Sequence, residues 1–364
     1  MPAAIPHESL TRAVRTAFGA STTIVAAEAL FGDASSRRYV RLRLAGGSAP
    51  ATAVAMLMGV EQRFGPGGDE FGGGARSDEL PFVNVARWLA ARGLTPPTIH
   101  YDSSHDAATT DSLLVLEDLG DTTLWAAASA RPGEAGELFA RAVDLLAALQ
   151  TAGARGADPG CIAFGRRFDG ALARWELEHF VEHGIETRHG RRLPEVERRG
   201  LLEELAPLVA PFEDGDRVLV HRDFMAWNIH VQGVRLRLID FQDALLGPDA
   251  YDLAALLTDR TTATLIGPAL EAELIDRFRR ARAAAGLPVA GDVAGRYRAC
   301  ALHRALKVIG RFYFLEQVLG KPGYLAYLPS VYAVARRMLA ALPGFAGTQG
   351  RLAVHVPELA AGRP

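Results

Sequence analysis

One stretch of this chain constrains its fold more than any other: Val220-His221-Arg222-Asp223-Phe224-Met225-Ala226-Trp227-Asn228, and after a short gap Leu238-Ile239-Asp240-Phe241-Gln242-Asp243. The apolar residues ending at Val220 read as a strand, the polar run as a loop, the alternation after Asn228 as two short strands, and Asp240 to Asp243 as an acidic turn. The unit carries, in order, a carboxylate, a carboxamide and a second carboxylate. Singly, each has an ordinary reading: Asp223 as a turn cap, Asn228 as a turn residue, Asp240 as a strand-end acid. Jointly they can orient a hydroxyl and offer oxygen ligands to a hard divalent cation.

Asp223 and Asn228 have the spacing of the kinase catalytic loop, His-Arg-Asp-x-x-x-x-Asn, and Asp240 falls where the metal-binding Asp of that fold follows. Gln242 in place of the glycine of Asp-Phe-Gly points away from protein kinases. With Tyr251-Asp252-Leu253-Ala254 downstream, the chain resembles the aminoglycoside phosphotransferase and choline kinase superfamily. Further segments resemble one branch, the N-acetylmuramate/N-acetylglucosamine anomeric kinases of cell-wall recycling. They are Gly32-Asp33-Ala34-Ser35 leading into Arg37-Arg38-Tyr39, Leu116-Glu117-Asp118-Leu119-Gly120, Ile239 to Ala244 with Gly247-Pro248, and Leu306-Lys307-Val308-Ile309-Gly310. The resemblance runs from about residue 10 to about 345, with weak stretches at 60–80, 150–165 and 185–200. It implies a bilobal, protein-kinase-like α+β fold, ATP and Mg²⁺ as cofactors, and an amino-sugar hydroxyl as acceptor.

At 364 residues and 49% hydrophobic composition, the chain can bury a large core and form two lobes. A net charge of −2 leaves no basic footprint for nucleic acid and no pull toward anionic membranes. No apolar run is long enough to span a bilayer, and Met1 to His7 lacks the pattern of a secretory signal. Cys161 and Cys300 have no metal-ligand spacing; a disulfide and idle thiols in a reducing cytosol are both open, the thiols being plainer. Nothing points to an obligate protein partner. The expectation is a cytoplasmic enzyme acting on a small molecule.

Strands are expected at 23–31, 37–44, 51–58, 98–101 and 112–117, with one helix at 84–92, making residues 1–117 a β-rich lobe. Helices are expected at 134–150, 167–184, 194–209, 250–259, 269–285, 293–315 and 325–341, making 118–346 a helical lobe broken by the strand–loop–strand unit at 217–240. The Gly- and Pro-containing residues 347–364 read as a poorly ordered tail.

Asp223 is the candidate catalytic base, which mainly aims the acceptor hydroxyl at the γ-phosphate. Asn228 and Asp240 are the candidate Mg²⁺ ligands. His221 and Arg222 read as architecture beneath the loop, and a His base is the rival reading. By the resemblance, Asp252 ties the loop down. Asp243 reads equally as a substrate or water contact and as a turn residue. The third strand offers no lysine to the triphosphate, so a cation has to come from elsewhere. Arg37 and Arg38 follow the first turn; alternation lets one of them reach the phosphates, while Ser35 or Ser36 adds hydrogen bonds. The plain alternative is two solvated strand arginines. The hinge backbone near Glu117 to Leu119 is expected to take the adenine.

Candidate acceptor contacts come from Gln242 and two helices. Glu176 and His179 stand at helical spacing with His183, and His303, Lys307 and Arg311 recur at i, i+4 and i+8. The first set is either a core-lining or solvated helix or a sugar-hydroxyl reader; the second is either a solvated basic face or a cationic wall for a carboxylate-bearing acceptor. An aminoglycoside or other amino-alcohol acceptor is the alternative, and it usually requires an acidic pocket. Residues 293–364 are instead rich in Arg with few acids. A nucleotide-binding pseudokinase scaffold is the alternative of another class, supported by the missing lysine and opposed by the presence of Asp223, Asn228 and Asp240.

Overall fold

Strand-favouring runs in the first third form one antiparallel sheet. In the computed structural model, which describes residues 7–30, 37–58, 79–104, 112–213, 217–289 and 291–362, its strands are β1 (Thr23–Leu30), β2 (Arg38–Ala45), β3 (Thr52–Met58), β4 (Ile99–Asp102) and β5 (Ser112–Glu117). Their spatial order is β1-β2-β3-β5-β4. The central strands are apolar on both faces because both are covered. Leu113 and Val115, with Val40, Leu42, Ala55 and Leu57, pack against Leu10, Val14 and Phe18 of α1 (His7–Phe18). Leu114 and Leu116, with Met56 and Met58, face Phe82, Val85 and Leu89 of α2 (Pro81–Ala90) in the main core. The strands fall where expected. Helix α1 is an addition, although its apolar residues recur at helical spacing.

Beyond Glu117 the described chain is largely helical: α3 (Leu124–Ala130), α4 (Ala135–Arg155), α5 (Gly170–His179), α6 (Glu195–Leu205) and the short α7 (Ala210–Glu213) precede the strand–loop–strand unit. That unit is β6 (Val218–Val220), β7 (Ile229–Gln232), β8 (Arg235–Leu238) and β9 (Leu245–Gly247); β6 pairs with β9 and β7 with β8. Then come α8 (Tyr251–Thr258), α9 (Pro268–Ala284), α10 (Val293–Tyr313), α11 (Leu328–Ala341) and α12 (Ala346–His355). The architecture is bilobal α+β. The expected poorly ordered tail is corrected at α12 and the turn after it, where Leu352, Val356 and Leu359 are buried and repay the ordering. Cys161 and Cys300 are free, buried thiols.

Helix α5 passes into a π-helical segment, Phe180–Thr187, where the 167–184 helix was expected to run on evenly. Helix α10 crosses this segment at close range. A Cβ on Gly310 would stand 2.7 Å from the Phe180 Cα, and one on Gly184 3.2 Å from the Ile309 side chain of α10. Glycine at both positions lets the backbones approach and brings side chains of α5 and α10 into contact.

Two arginines fasten the segment from Glu117 to Asp121 that follows β5. Arg41 of β2 donates to Asp118 and Asp121, each at 2.8 Å. From β8, Arg237 donates to both Glu117 carboxylate oxygens (2.6 and 2.8 Å) and to the carbonyls of Thr95 and Pro96 (3.1 and 2.9 Å). Arg237 pulls the Glu117 carboxyl down to about 2 from 4.5. At this partly exposed carboxylate, which Thr98 also bonds, solvent screening leaves about 1–2 kcal/mol of that shift as stability. The folded value is the lower one, so this stability is fully present above pH 4.5 and is lost as pH falls toward 2. Glu117→Gln is therefore expected to cost about 1–2 kcal/mol in denaturant unfolding at pH 7, the gap from wild type narrowing below pH 4.5. A gap that stays constant on acidification would remove the pairing as its cause.

Candidate active site

Strand β6 delivers His221 into a loop whose backbone is strained. Arg222 has φ 76° and Asp240 φ 65°, the left-handed region that non-glycine residues seldom occupy. Asp252, at the start of α8, holds the first strained residue: its carboxylate accepts from the backbone N–H of His221 at 2.6 Å and of Arg222 at 3.0 Å. Burial pushes the Asp252 carboxyl up to about 7, against the pull of those two amides. His221 is buried with its ring edge-on to Phe224, and burial pushes it down to about 4. A neutral, enclosed imidazole fits the architectural reading.

The three candidate groups lie near one another: Asp223 repels Asp240, and Asn228 is tied to the Asp223 backbone. The Asp223 side chain is 35% exposed and that of Asp240 40%. Asn228 donates from Nδ2 to the Asp223 carbonyl at 2.9 Å, which commits the amide nitrogen to the loop. Burial works against ionisation of Asp223, but Arg304, Lys307, Arg222 and His221 outweigh it and hold its carboxyl below the usual range. Asp240 is raised, by burial and then by repulsion from Asp223, with Gln242 and Arg37 in opposition. Asn228 and Asp240 form a small oxygen set that fits Mg²⁺, an ion that keeps waters and takes phosphate oxygens rather than filling an all-protein cage.

Across the cleft, the choice between the two arginines follows from strand parity. Arg38 pairs with Leu57, whose side chain faces α1, whereas Tyr39 pairs with Met56 on the other face. Arg37 shares the parity of Tyr39, and its Nη2 lies 3.7 Å from Asp240 Oδ1. Arg38 is exposed. Arg37→Ala is expected to raise the KM for ATP strongly and Arg38→Ala to leave it within about two-fold. Normal ATP kinetics in both variants would put the phosphate cation elsewhere. Ser35 and Ser36 lie outside the described residues.

At the hinge, the Glu117 side chain is taken up by Arg237, and the Leu119 carbonyl accepts from Gln232 at 3.4 Å. Gln242 bridges two acids, donating from Nε2 to Asp240 at 2.9 Å and to Asp243 at 3.2 Å.

The expected helix-borne acceptor contacts need correction. Glu176 is buried, 2.6 Å from Lys307 Nζ, 3.5 Å from Arg222 Nη2 and 3.7 Å from His303 Nδ1. Burial opposes its ionisation, and Lys307, His303 and Arg222 together prevail, holding it below the usual range. The His303 side chain is fully enclosed, donating from Nε2 to the Ala173 carbonyl at 3.0 Å. Glu176 and His303 therefore do not line a pocket; they join α5 and α10 behind it. Lys307 keeps 20% of its side chain exposed. Arg311 rests 5.4 Å over the Phe314 ring, and His179 lies among the rings of Trp175, His183 and Phe314. The basic stripe is thus neither a continuous solvated face nor a continuous wall.

Comparison with known proteins adds lineage to this geometry. A profile of the APH phosphotransferase enzyme family matches residues 30–291. The chain belongs to that family. Curated relatives named N-acetylmuramate/N-acetylglucosamine kinase include one from Pseudomonas aeruginosa, 33% identical over 285 residues that cover 74% of this chain and 79% of the relative. Another, from Neisseria meningitidis, is 31% identical over 266 residues, 70% of this chain and 75% of the relative. Among solved structures, an amicoumacin kinase in complex with AMP-PNP and Ca²⁺ superposes with a TM-score of 0.58 at 13% identity, covering 92% of this chain and 94% of that one. The aminoglycoside phosphotransferase APH(4)-Ia with ADP and hygromycin B gives 0.54 at 15% identity, covering 89% and 96%. At those identities the likeness is one of fold.

In this phosphotransferase the sequence reading missed Arg304. Its guanidinium is buried beside the catalytic loop, with Nη2 3.7 Å from Asp223 Oδ1. The available signal was its position three residues before Lys307, on the same face of α10 and amid apolar neighbours.

Proposed function

We propose that this phosphotransferase moves the γ-phosphoryl group of ATP to a sugar hydroxyl, the anomeric C1 hydroxyl of N-acetylmuramate or N-acetylglucosamine. The observation that carries the reading is the meeting of Asp223, Asn228 and Asp240 around a strained, tightly held loop in a chain whose curated relatives are named for those substrates. ADP and AMP-PNP in solved neighbours support nucleotide use.

In this mechanism Asp223 accepts a hydrogen bond from the acceptor hydroxyl and aims its oxygen at the γ-phosphorus. The transition state is loose, so orientation contributes more than early proton removal. An anomeric hydroxyl is more acidic than an ordinary alcohol, so a carboxylate of modest basicity suffices. Asn228 Oδ1 and the Asp240 carboxylate would hold Mg²⁺, which when bound neutralises charge on the β- and γ-oxygens. Arg37 turns from Asp240 to the phosphates, supplying the cation that the third strand lacks. The hinge backbone at Glu117 to Leu119 receives the adenine. The lobes divide near residue 117, and the acceptor enters beside Lys307 and Gln242, with His179 and Arg311 farther out.

Arg222, Arg304 and Lys307 pair with Glu176 and Asp223 on the α10 side of the loop. Among the described residues no helix is long and apolar enough to cross a membrane, and the cytoplasm, where ATP is available, suits the proposed reaction. ATP consumption with a panel of amino sugars and amino alcohols, followed by phosphorus NMR of the product, tests the reading. The expected product is a sugar 1-phosphate. Turnover of another alcohol with none of either sugar would leave only the phosphotransferase class standing.

A further inference from the structure

The catalytic loop is held on one side by Asp252 and on the other by Arg304. Arg304 Nη1 lies 3.5 Å from the Arg222 carbonyl oxygen and 3.5 Å from the Tyr251 hydroxyl. Its Nη2 lies 2.9 Å from the Met225 sulfur and 3.7 Å from Asp223 Oδ1. The arginine side chain is only 8% exposed, whereas that of Asp223 is 35% exposed, so the cation stands behind the carboxylate. Lys307, three residues further along α10, is paired with Glu176 at 2.6 Å and reaches Asp223 only through its charge, without contact to the Arg222 carbonyl.

We propose that Arg304 is a positioning residue for phosphoryl transfer. One arm of its fork steadies the carbonyl of left-handed Arg222, and the other holds one oxygen of Asp223, leaving the second oxygen turned to the acceptor hydroxyl. A planar guanidinium can do both at once; an ammonium on a flexible stem can supply the charge but cannot span both contacts. The inference rests on Asp223 being the group that orients the acceptor, and a double-mutant cycle separates the two claims.

The experiment measures kcat and both KM values for Arg304→Met, Arg304→Lys, Asp223→Asn and the combination Arg304→Met with Asp223→Asn. Arg304→Met is expected to lower kcat about ten-fold or more with the KM for ATP within about two-fold, and Arg304→Lys to recover part of the loss. In the Asp223→Asn background the same Arg304→Met change is expected to cost several-fold less than in the wild type, because only the contact with the Arg222 carbonyl remains to be lost. An equal loss in both backgrounds overturns the positioning role while leaving Asp223 in place. A fully active Asp223→Asn enzyme overturns the Asp223 reading and this inference with it. If thermal melting shows Arg304→Met unfolded, the cycle runs on Arg304→Lys, and an equal loss in both backgrounds counts against the proposal in the same way.

Discussion

Asp223→Asn is expected to lower kcat by a factor on the order of 10² or more while leaving folding and the KM for ATP nearly unchanged. The substitution is isosteric. It leaves in place the backbone carbonyl that Asn228 bonds at 2.9 Å. What it removes is the negative charge, and with it two things. The hydroxyl loses a strong acceptor, and Arg304, Lys307 and Arg222 lose the carboxylate that they collectively favour. Unbalanced cations behind the new amide would also turn its NH₂ group outward, toward the hydroxyl, which is the wrong polarity for aiming an oxygen. The loss should therefore fall on kcat. Thermal melting and an ATP titration of the variant separate this outcome from simple damage. An enzyme that stays active would end the assignment of Asp223, although the phosphotransferase class would survive.

Legibility in the sequence was uneven, for physical reasons. The strands stood out because β3 and β5 are apolar on both faces, and residues such as Leu113 and Leu114 serve different cores. The catalytic unit stood out because its groups sit within 18 positions and their roles depend on local spacing. Parity said that only one of Arg37 and Arg38 faces the cleft; which one needed the pairing of Arg38 with Leu57. The acceptor side was read least well. Glu176 and His303 look like polar marks on separate amphipathic helices, and the period of one helix says nothing of a partner over a hundred residues away. Their burial depends on the close crossing at Gly310 and Gly184, which is a three-dimensional fact. The same holds for Arg304, whose meaning comes from Asp223. The C-terminal helix α12 was missed because its glycines outweighed, on paper, the buried Leu352 that anchors it.

Asp240→Ala is expected to abolish productive Mg-ATP binding, the largest single effect after loss of Asp223 function. Asp240 combines a backbone at φ 65° with a 40%-exposed carboxylate poised between Arg37 and Gln242. Left-handed backbone in a residue with a Cβ costs about 1 kcal/mol or more, and that strain persists only where the surroundings impose it. Alanine inherits the strain without the carboxylate. Gln242 then loses the acceptor of its 2.9 Å bond, and Arg37 loses the acid that faces it across the cleft. Binding should show this before catalysis does. Titration with Mg-ATP should reveal weakened affinity and a blunted dependence on Mg²⁺, because the charged oxygen that joins the ion to the phosphates is gone. Asp240→Asn offers a sharper comparison. It keeps one oxygen and the bond from Gln242, so it should fold as the wild type does and still lose most of the metal dependence. Unchanged nucleotide binding and turnover in both variants would mean that the acidic turn after Ile239 supports the loop and takes no part in holding the nucleotide.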